Sequence, residues 1–266
     1  MRTVLTIAGS DCSGGAGIQA DLKTIAAHGL YGMSVITALT AQNTTGVYGI
    51  QEVEPEFLKK QLDCIFTDIY PDAVKIGMLA SKPLIEVVLE AIREYKPRHI
   101  VVDPVLISTS GRRLLAEEAE MSLRELLTFA ELITPNIPEA ETISGEKIEN
   151  EQDMETVAGK LEKQYHAAVL VKGGHKAGGA DDVLCKAGAV NWYRGERLDN
   201  PNTHGTGCTL SSAIACGLAQ GKTLEVSVRE AKEYLTGAIR ADLKLGRGNG
   251  PLDHNWKWME KAYEDK

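Results

Sequence analysis

An apolar run, Val4-Leu5-Thr6-Ile7-Ala8, breaks at Gly9 into the loop Gly9-Ser10-Asp11-Cys12-Ser13-Gly14-Gly15-Ala16-Gly17. The segment Ile18–His28 follows, with Ile18, Leu22, Ile25 and Ala26 on one helical face. Such a run reads as a strand buried on both faces, and the spacing after it reads as a helix packed on a sheet. Four glycines in the nine-residue loop let the backbone approach a ligand closely and aim N–H groups at it, which goes beyond the needs of a flexible turn. The loop lacks the GxGxxG spacing of a dinucleotide site and the lysine of a P-loop.

The same alternation repeats outward along the chain. Ser34–Leu39, Ala73–Ile76, His99–Val102, Leu132–Thr134 and Ala167–Val171 read as further buried strands. Helical patterns lie between them at Pro55–Ile69, Leu84–Tyr95, Ser122–Ala130 and Asp153–Tyr165. Repeated β-α-β units imply a mostly parallel sheet with right-handed crossovers. Val183–Ala187 and Ala189–Arg194, split by Gly188, read as an antiparallel hairpin, followed by helices Cys208–Ala219 and Leu224–Leu243. The expectation is one α/β domain over residues 1–266: a mostly parallel central sheet flanked by helices, with a small antiparallel extension near one edge.

Composition narrows the function classes. Twenty-nine Lys and Arg against 37 Asp and Glu give a net charge of −8, which argues against a nucleic-acid surface or an anionic membrane partner. Five cysteines without a CxxC pair argue against a disulfide framework or structural zinc and point to a reducing, cytoplasmic setting. The N-terminal apolar run is too short for a signal-peptide core or a membrane span.

In parallel α/β sheets ligands sit beyond the carboxyl ends of the strands, so residues just after strands are the first candidates. Asp103, after His99–Val102, is a magnesium or water ligand, or a cap. Asn136 and Glu139 lie three apart in Thr134-Pro135-Asn136-Ile137-Pro138-Glu139, a tight turn leading into a helix, where Glu is also a common cap. Lys172 in Lys172-Gly173-Gly174-His175 meets phosphate or lies in solvent. In Asn202-Thr203-His204-Gly205-Thr206-Gly207-Cys208-Thr209, glycines at a helix start make an anion hole, and the helix dipole is expected to lower the Cys208 pKa. Gly217–Thr223 imitates a P-loop ending, but its spacing is one residue short and a helix precedes it. The six histidines show no HExxH spacing and read mostly as surface or core fillers.

Together these motifs resemble the ribokinase-like superfamily from Ile7 to about His254: Asn136-x-x-Glu139 is similar to its NxxE motif, and Gly205-Thr206-Gly207-Cys208 to its anion hole. Closer still is the hydroxymethylpyrimidine/phosphomethylpyrimidine kinase family of thiamine biosynthesis. Ala8–Asp11, Gly14–Lys23, Thr37–Thr44, Lys75–Leu79, Asp103–Val105, Thr134–Ala140 and Thr203–Thr209 carry that resemblance. The family usually has Pro where this chain has Cys12, and Met and Lys in the stretch read here as Leu106-Ile107-Ser108-Thr109-Ser110.

The resemblance implies ATP-dependent phosphorylation of hydroxymethylpyrimidine and then of its monophosphate, with magnesium. It implies that Gln42 reads the aminopyrimidine ring and that Ala16, Asp21, Met78 and Val105 complete its pocket. Cys208, Gly205 and Gly207 would form the catalytic anion hole. Lys172, Asn136, Glu139 and Thr206 would hold the nucleotide phosphates, and Asp103 and Glu139 the magnesium. A homodimer is also implied. A pyridoxal kinase of the same superfamily is the nearest alternative, and Gln42 argues against it, because those relatives tend to carry Met there.

Overall fold

The structure is a computed structural model and describes residues 1–106, 114–174 and 179–258. His175 and the Ile107–Ser110 departure lie outside the described residues.

The chain begins with β1 (Thr3–Asp11), α1 (Gly17–Ala27), β2 (Tyr31–Asn43), β3 (Gly46–Glu52), α2 (Pro55–Phe66) and β4 (Ala73–Ile76). Then come α3 (Lys82–Tyr95), β5 (Ile100–Val102), a 3-10 turn, α4 (Glu120–Leu127), β6 (Leu132–Ile133), α5 (Ile137–Ser144) and α6 (Glu151–Tyr165). The last elements are β7 (Ala168–Lys172), β8 (Asp182–Lys186), β9 (Ala189–Tyr193), α7 (Thr206–Ala219) and α8 (Leu224–Arg240). All nine strands form one sheet in the order β3-β2-β1-β4-β5-β6-β7-β8-β9. The six central strands, β2, β1, β4, β5, β6 and β7, pair in parallel.

Period-two alternation divides each buried strand between the two faces of the sheet. Leu5, Ile7, Val74 and Ile76 pack with α2 to α6, whereas Val4, Ala73, Val101 and Leu132 pack with α1, α7 and α8. The result is a three-layer α/β/α sandwich. Each large aliphatic side chain sealed in these layers contributes roughly 1.5–3 kcal/mol. Helix α7 is buried all round from Thr209 to Ala219, which explains why its sequence is apolar without a polar stripe.

Two features differ from expectation. The sheet is antiparallel at both edges, because β3 folds back on β2 through an Asn43–Gly46 turn. In that turn Asn43 Oδ1 accepts the Thr45 N–H at 2.9 Å. Strand β2 also runs past the end of its pairing with β1, as far as Asn43, and this overhang carries Gln42 to the site. Its pairing slips by one residue beside Gln42: Ala41 faces Gly49, but Gln42 faces Val47. Such a bulge re-aims the side chains next to it.

Candidate active site

The site lies at the carboxyl ends of three adjacent strands and at the start of α7. Asp103 follows β5, Thr134 follows β6, and Lys172 ends β7. Lys172 Nζ donates to Asp103 Oδ1 at 2.8 Å, and Thr134 Oγ1 donates to the same oxygen at 3.1 Å. Burial pulls the Lys172 ammonium down, but Asp103 and Glu139 beside it hold it above the usual lysine range. Asn136 pairs with Lys172 as an isolated parallel bridge, which brings the two motifs side by side.

Asn136 and Glu139 form a full capping box on α5. The Asn136 side chain accepts the Glu139 N–H at 2.9 Å, and Glu139 Oε2 accepts the Asn136 N–H at 2.8 Å. Glu139 is nearly sealed from solvent. Burial raises its carboxyl to about 7; Lys172 opposes this rise and Asp103 adds to it. Capping and an electrostatic role therefore coincide in one residue.

The first turn of α7 faces this group. Gly205 is its N-cap with φ 87°, and a Cβ there would collide with the Gly15 carbonyl. Only glycine satisfies both demands. No side chain caps the helix, and the N–H groups of Gly207 and Cys208 find no acceptor among the described residues. They are free donors at the positive end of a helix dipole. A Cβ on Gly207 would stand 3.2 Å from Lys172 Nζ and 3.3 Å from Asp103 Oδ2. Thr206 turns its hydroxyl back to the Thr203 carbonyl at 3.2 Å.

Cys208 departs from the expectation of a lowered pKa. Burial pushes its thiol up to about 11, and Asp21 and Asp103 add to the rise, while Lys75 and the Gly17 N–H oppose it. Desolvation outweighs the helix dipole.

Asp21 lies deeper than the other residues expected around the ring. It is fully buried and its oxygens are occupied: Lys75 Nζ donates at 2.9 and 2.8 Å, Thr6 at 2.6 Å and Ser212 at 2.8 Å. It ties β1, β4 and α7 together from within the core. Met78 and Val105 do come together, in a small apolar cluster with Ala38 and Ala80.

The Gly9–Gly17 loop closes the other side. Asp11 Oδ2 accepts the N–H groups of Gly15 at 3.1 Å and Ala16 at 2.9 Å, and His204 Nε2 lies 2.8 Å from the same oxygen. Burial opposes ionisation of Asp11, yet His204, the Ser13 hydroxyl and N–H and the Ala16 N–H hold its carboxyl at about 2. His204 in turn stands 3.1 Å from the Gln42 amide. Sequence reading passed over His204 as a filler. The signal was its position directly before Gly205, with an acidic residue in the facing loop. Lys75 was likewise missed, because a lysine inside an apolar strand carries no periodic mark.

A cavity of about 1350 Å³ opens between β9 and α8, with Trp192, Arg194, Lys232 and Arg240 in its wall. Lys232 Nζ donates to Asp182 Oδ2 at 2.5 Å, and Asp182 Oδ1 accepts the Gly173 N–H at 3.0 Å. The cavity thus adjoins Lys172 along the chain.

Sheet order, layering and a site built from strand ends and an uncapped helix start define a small-molecule kinase of ribokinase-like fold. The family model described as phosphomethylpyrimidine kinase matches residues 11–253, and the chain belongs to that family. A hydroxymethylpyrimidine/phosphomethylpyrimidine kinase of Streptomyces coelicolor is 49% identical over 254 residues, covering 95% of this chain and 94% of the relative. The thiamine biosynthesis bifunctional protein ThiED of Geobacter sulfurreducens is also 49% identical over 254 residues. That match covers 95% of this chain but 52% of the relative, so the chain spans about half its length. Among solved structures, an ADP complex of Bacillus subtilis pyridoxal kinase superposes with a TM-score of 0.90 at 35% identity, covering 97% of this chain and 99% of that one. Among the described residues no helix is long and apolar enough to cross a membrane.

Proposed function

We propose that the chain phosphorylates 4-amino-5-hydroxymethyl-2-methylpyrimidine with ATP, first to the monophosphate and then to the diphosphate, at one site. The observation that carries this reading is the convergence of Lys172, Asp103 and Gly207, three residues after His204, which contacts Gln42. Phosphoryl transfer needs positioning and charge neutralisation more than covalent chemistry. The Gly207 and Cys208 N–H groups would meet charge developing on the transferred phosphoryl group. Lys172 would meet the donor phosphates. The neighbouring 1350 Å³ cavity offers room for the nucleoside of ATP. With a thiol held near 11, Cys208 would serve the first transfer by guiding the hydroxyl rather than by strong base action, and the second transfer, to a phosphate, needs no base.

Magnesium fits the residues present. Lys172 and Thr134 both bond Asp103 Oδ1, leaving Oδ2 without a donor among the described residues. Glu139 is a desolvated carboxylate that a cation would relieve. No cluster of three or more His, Cys, Asp or Glu suited to a metal occurs among the described residues. Asp103 and Glu139 would therefore hold magnesium jointly with the nucleotide, as that ion is usually held. When bound, magnesium supplies charge neutralisation on the phosphates.

The homodimer, the single domain over 1–266 and the cytoplasmic setting belong to the same reading. Exposed Leu39 and Tyr48 on the β2–β3 edge support the dimer, and five free cysteines support the reducing compartment. A pyridoxal kinase is the second reading, favoured by the Bacillus subtilis superposition. An assay offering hydroxymethylpyrimidine, its monophosphate, pyridoxal and pyridoxine in parallel with ATP separates the two. Preferred use of both pyrimidines is expected. Exclusive use of the pyridoxal vitamers would overturn the proposal.

A further inference from the structure

Beyond α8 the chain runs back across both ends of the site. The N–H groups of Arg247 and Gly248 both donate to Thr44 Oγ1, each at 3.2 Å. Thr44 lies in the turn between β2 and β3, two residues after Gln42. A Cβ on Gly248 would stand 2.2 Å from the Thr44 carbonyl oxygen, and one on Gly246, whose φ is 87°, would stand 2.4 Å from Thr44 Oγ1. Further on, the Gly250 carbonyl accepts the His204 N–H at 3.1 Å, and Pro251 pairs with His204 as a parallel bridge. His254 Nε2 then lies 3.0 Å from the hydroxyl of Thr209, the residue after Cys208. Residues 246–254 thus form a strap, with one grip on the β2–β3 turn and the other on the start of α7.

The first grip is not core packing. Residues 243–249 are exposed, so it buries little apolar surface and adds little to stability. It is a tether made of hydrogen bonds: a threonine hydroxyl oxygen has two lone pairs, and both strap N–H groups converge on that one oxygen. Gln42 needs such a tether. It sits on an overhang beyond the last β1 pair, with the edge strand β3 as its ladder partner, and elements with few buried contacts open locally at low cost. The turn that carries Gly205, Gly207 and Cys208 comes from a distant part of the chain. The strap is continuous backbone between the two, so it sets their separation. An acceptor whose ring is held at one end and whose hydroxyl must meet phosphate at the other depends on that separation. An error of about 1 Å there can cost roughly a hundredfold in rate.

We propose that Thr44 and the Gly246–Gly250 strap position the phosphoryl acceptor, by holding the Gln42 end of the pocket at a fixed distance from the Gly205–Cys208 anion hole. Thr44 is a positioning residue that acts through the hairpin carrying Gln42. The inference rests on the reading of those two ends as one acceptor pocket.

The test uses the full chain. Thr44→Val keeps the side-chain shape and removes the acceptor, Thr44→Ser keeps the hydroxyl, and Gly248→Ala drives a methyl toward the Thr44 carbonyl. Steady-state kinetics on hydroxymethylpyrimidine with ATP are read beside calorimetric binding of the pyrimidine and melting temperature. Thr44→Val and Gly248→Ala should each lower kcat by about tenfold, because the ring still binds but its arm is misaligned. The KM for ATP, the pyrimidine affinity and the melting temperature should stay near wild type. Thr44→Ser should keep the wild-type kcat. An unchanged kcat in both Thr44→Val and Gly248→Ala, with an active wild type, would overturn the strap alone. So would a fall in kcat accompanied by a lower melting temperature and a raised KM for ATP, which marks general loosening. A wild-type chain that phosphorylates no pyrimidine would overturn the functional reading and this inference with it.

Discussion

Asp21 and Lys75 face each other at 2.8 Å, neither side chain retaining any exposed surface, and Ser212 ties the pair to α7 one turn beyond Cys208. A charge pair this deep is sustained by its hydrogen bonds: Thr6, Ser212 and Lys75 together satisfy the carboxylate. Lys75 therefore keeps its proton despite burial, and its field opposes the rise in the Cys208 thiol.

Breaking that pair from one side strands a buried charge. Lys75→Met and Asp21→Asn should each destabilise the fold by roughly 3–5 kcal/mol, whereas the double variant should cost clearly less than the sum. Urea denaturation midpoints measure this. Additive losses would show that the two residues are not coupled.

Gly207→Ala should leave stability near wild type, because alanine favours a helix. Its methyl would press on Lys172 Nζ and Asp103 Oδ2. Turnover should fall by about a hundredfold, the scale seen when a transition-state donor is lost. Retained turnover would mean that phosphate does not enter here.

Glu139 makes the fold pH-sensitive in a defined direction. Its folded-state carboxyl titrates near 7, above the unfolded value of 4.5. Between those values the folded state holds a proton that the unfolded state has lost, so stability falls as pH rises through the window. Glu139→Gln should flatten this part of the stability profile and gain relative to wild type above pH 7. Melting temperatures from pH 4.5 to 8 check it; parallel profiles for the two proteins would exclude it.

Cys208 should alkylate slowly at neutral pH. With exposed Cys12 and Cys64 replaced by serine, labelling of the Cys208 peptide by iodoacetamide should keep climbing toward pH 11. A plateau by pH 8.5 would mark an unburied thiol. Cys208→Ala should slow the first phosphorylation much more than the second.

Much of the fold was legible because buried parallel strands announce themselves as short Val- and Ile-rich runs; Ala73–Ile76 begins and ends where the sequence placed it. Strand β3 was not, because Gly46-Val47-Tyr48-Gly49-Ile50 is an exposed edge with two glycines and no buried face. At the site, Asp103, Glu139, Lys172 and the Gly205–Cys208 turn were readable from their places after strands or before a helix. Burial was not readable, and burial is what raises Cys208 and seals Asp21. Nor was the pairing of Asp11 with His204, since local spacing carries no trace of a contact spanning 193 positions.

That long span also governs how the protein comes alive. The glycine loop sits in the first β-α unit, and the turn it grips waits until residue 204 of 266 has been made. The glycine loop is shaped locally by Asp11, but its contact with His204 spans 193 positions, and loop closure over such a distance is entropically late. Enzymatic competence during refolding should therefore lag behind the recovery of helical signal. A nick anywhere in the intervening chain that lets the two ends drift would silence the kinase without unravelling most of it.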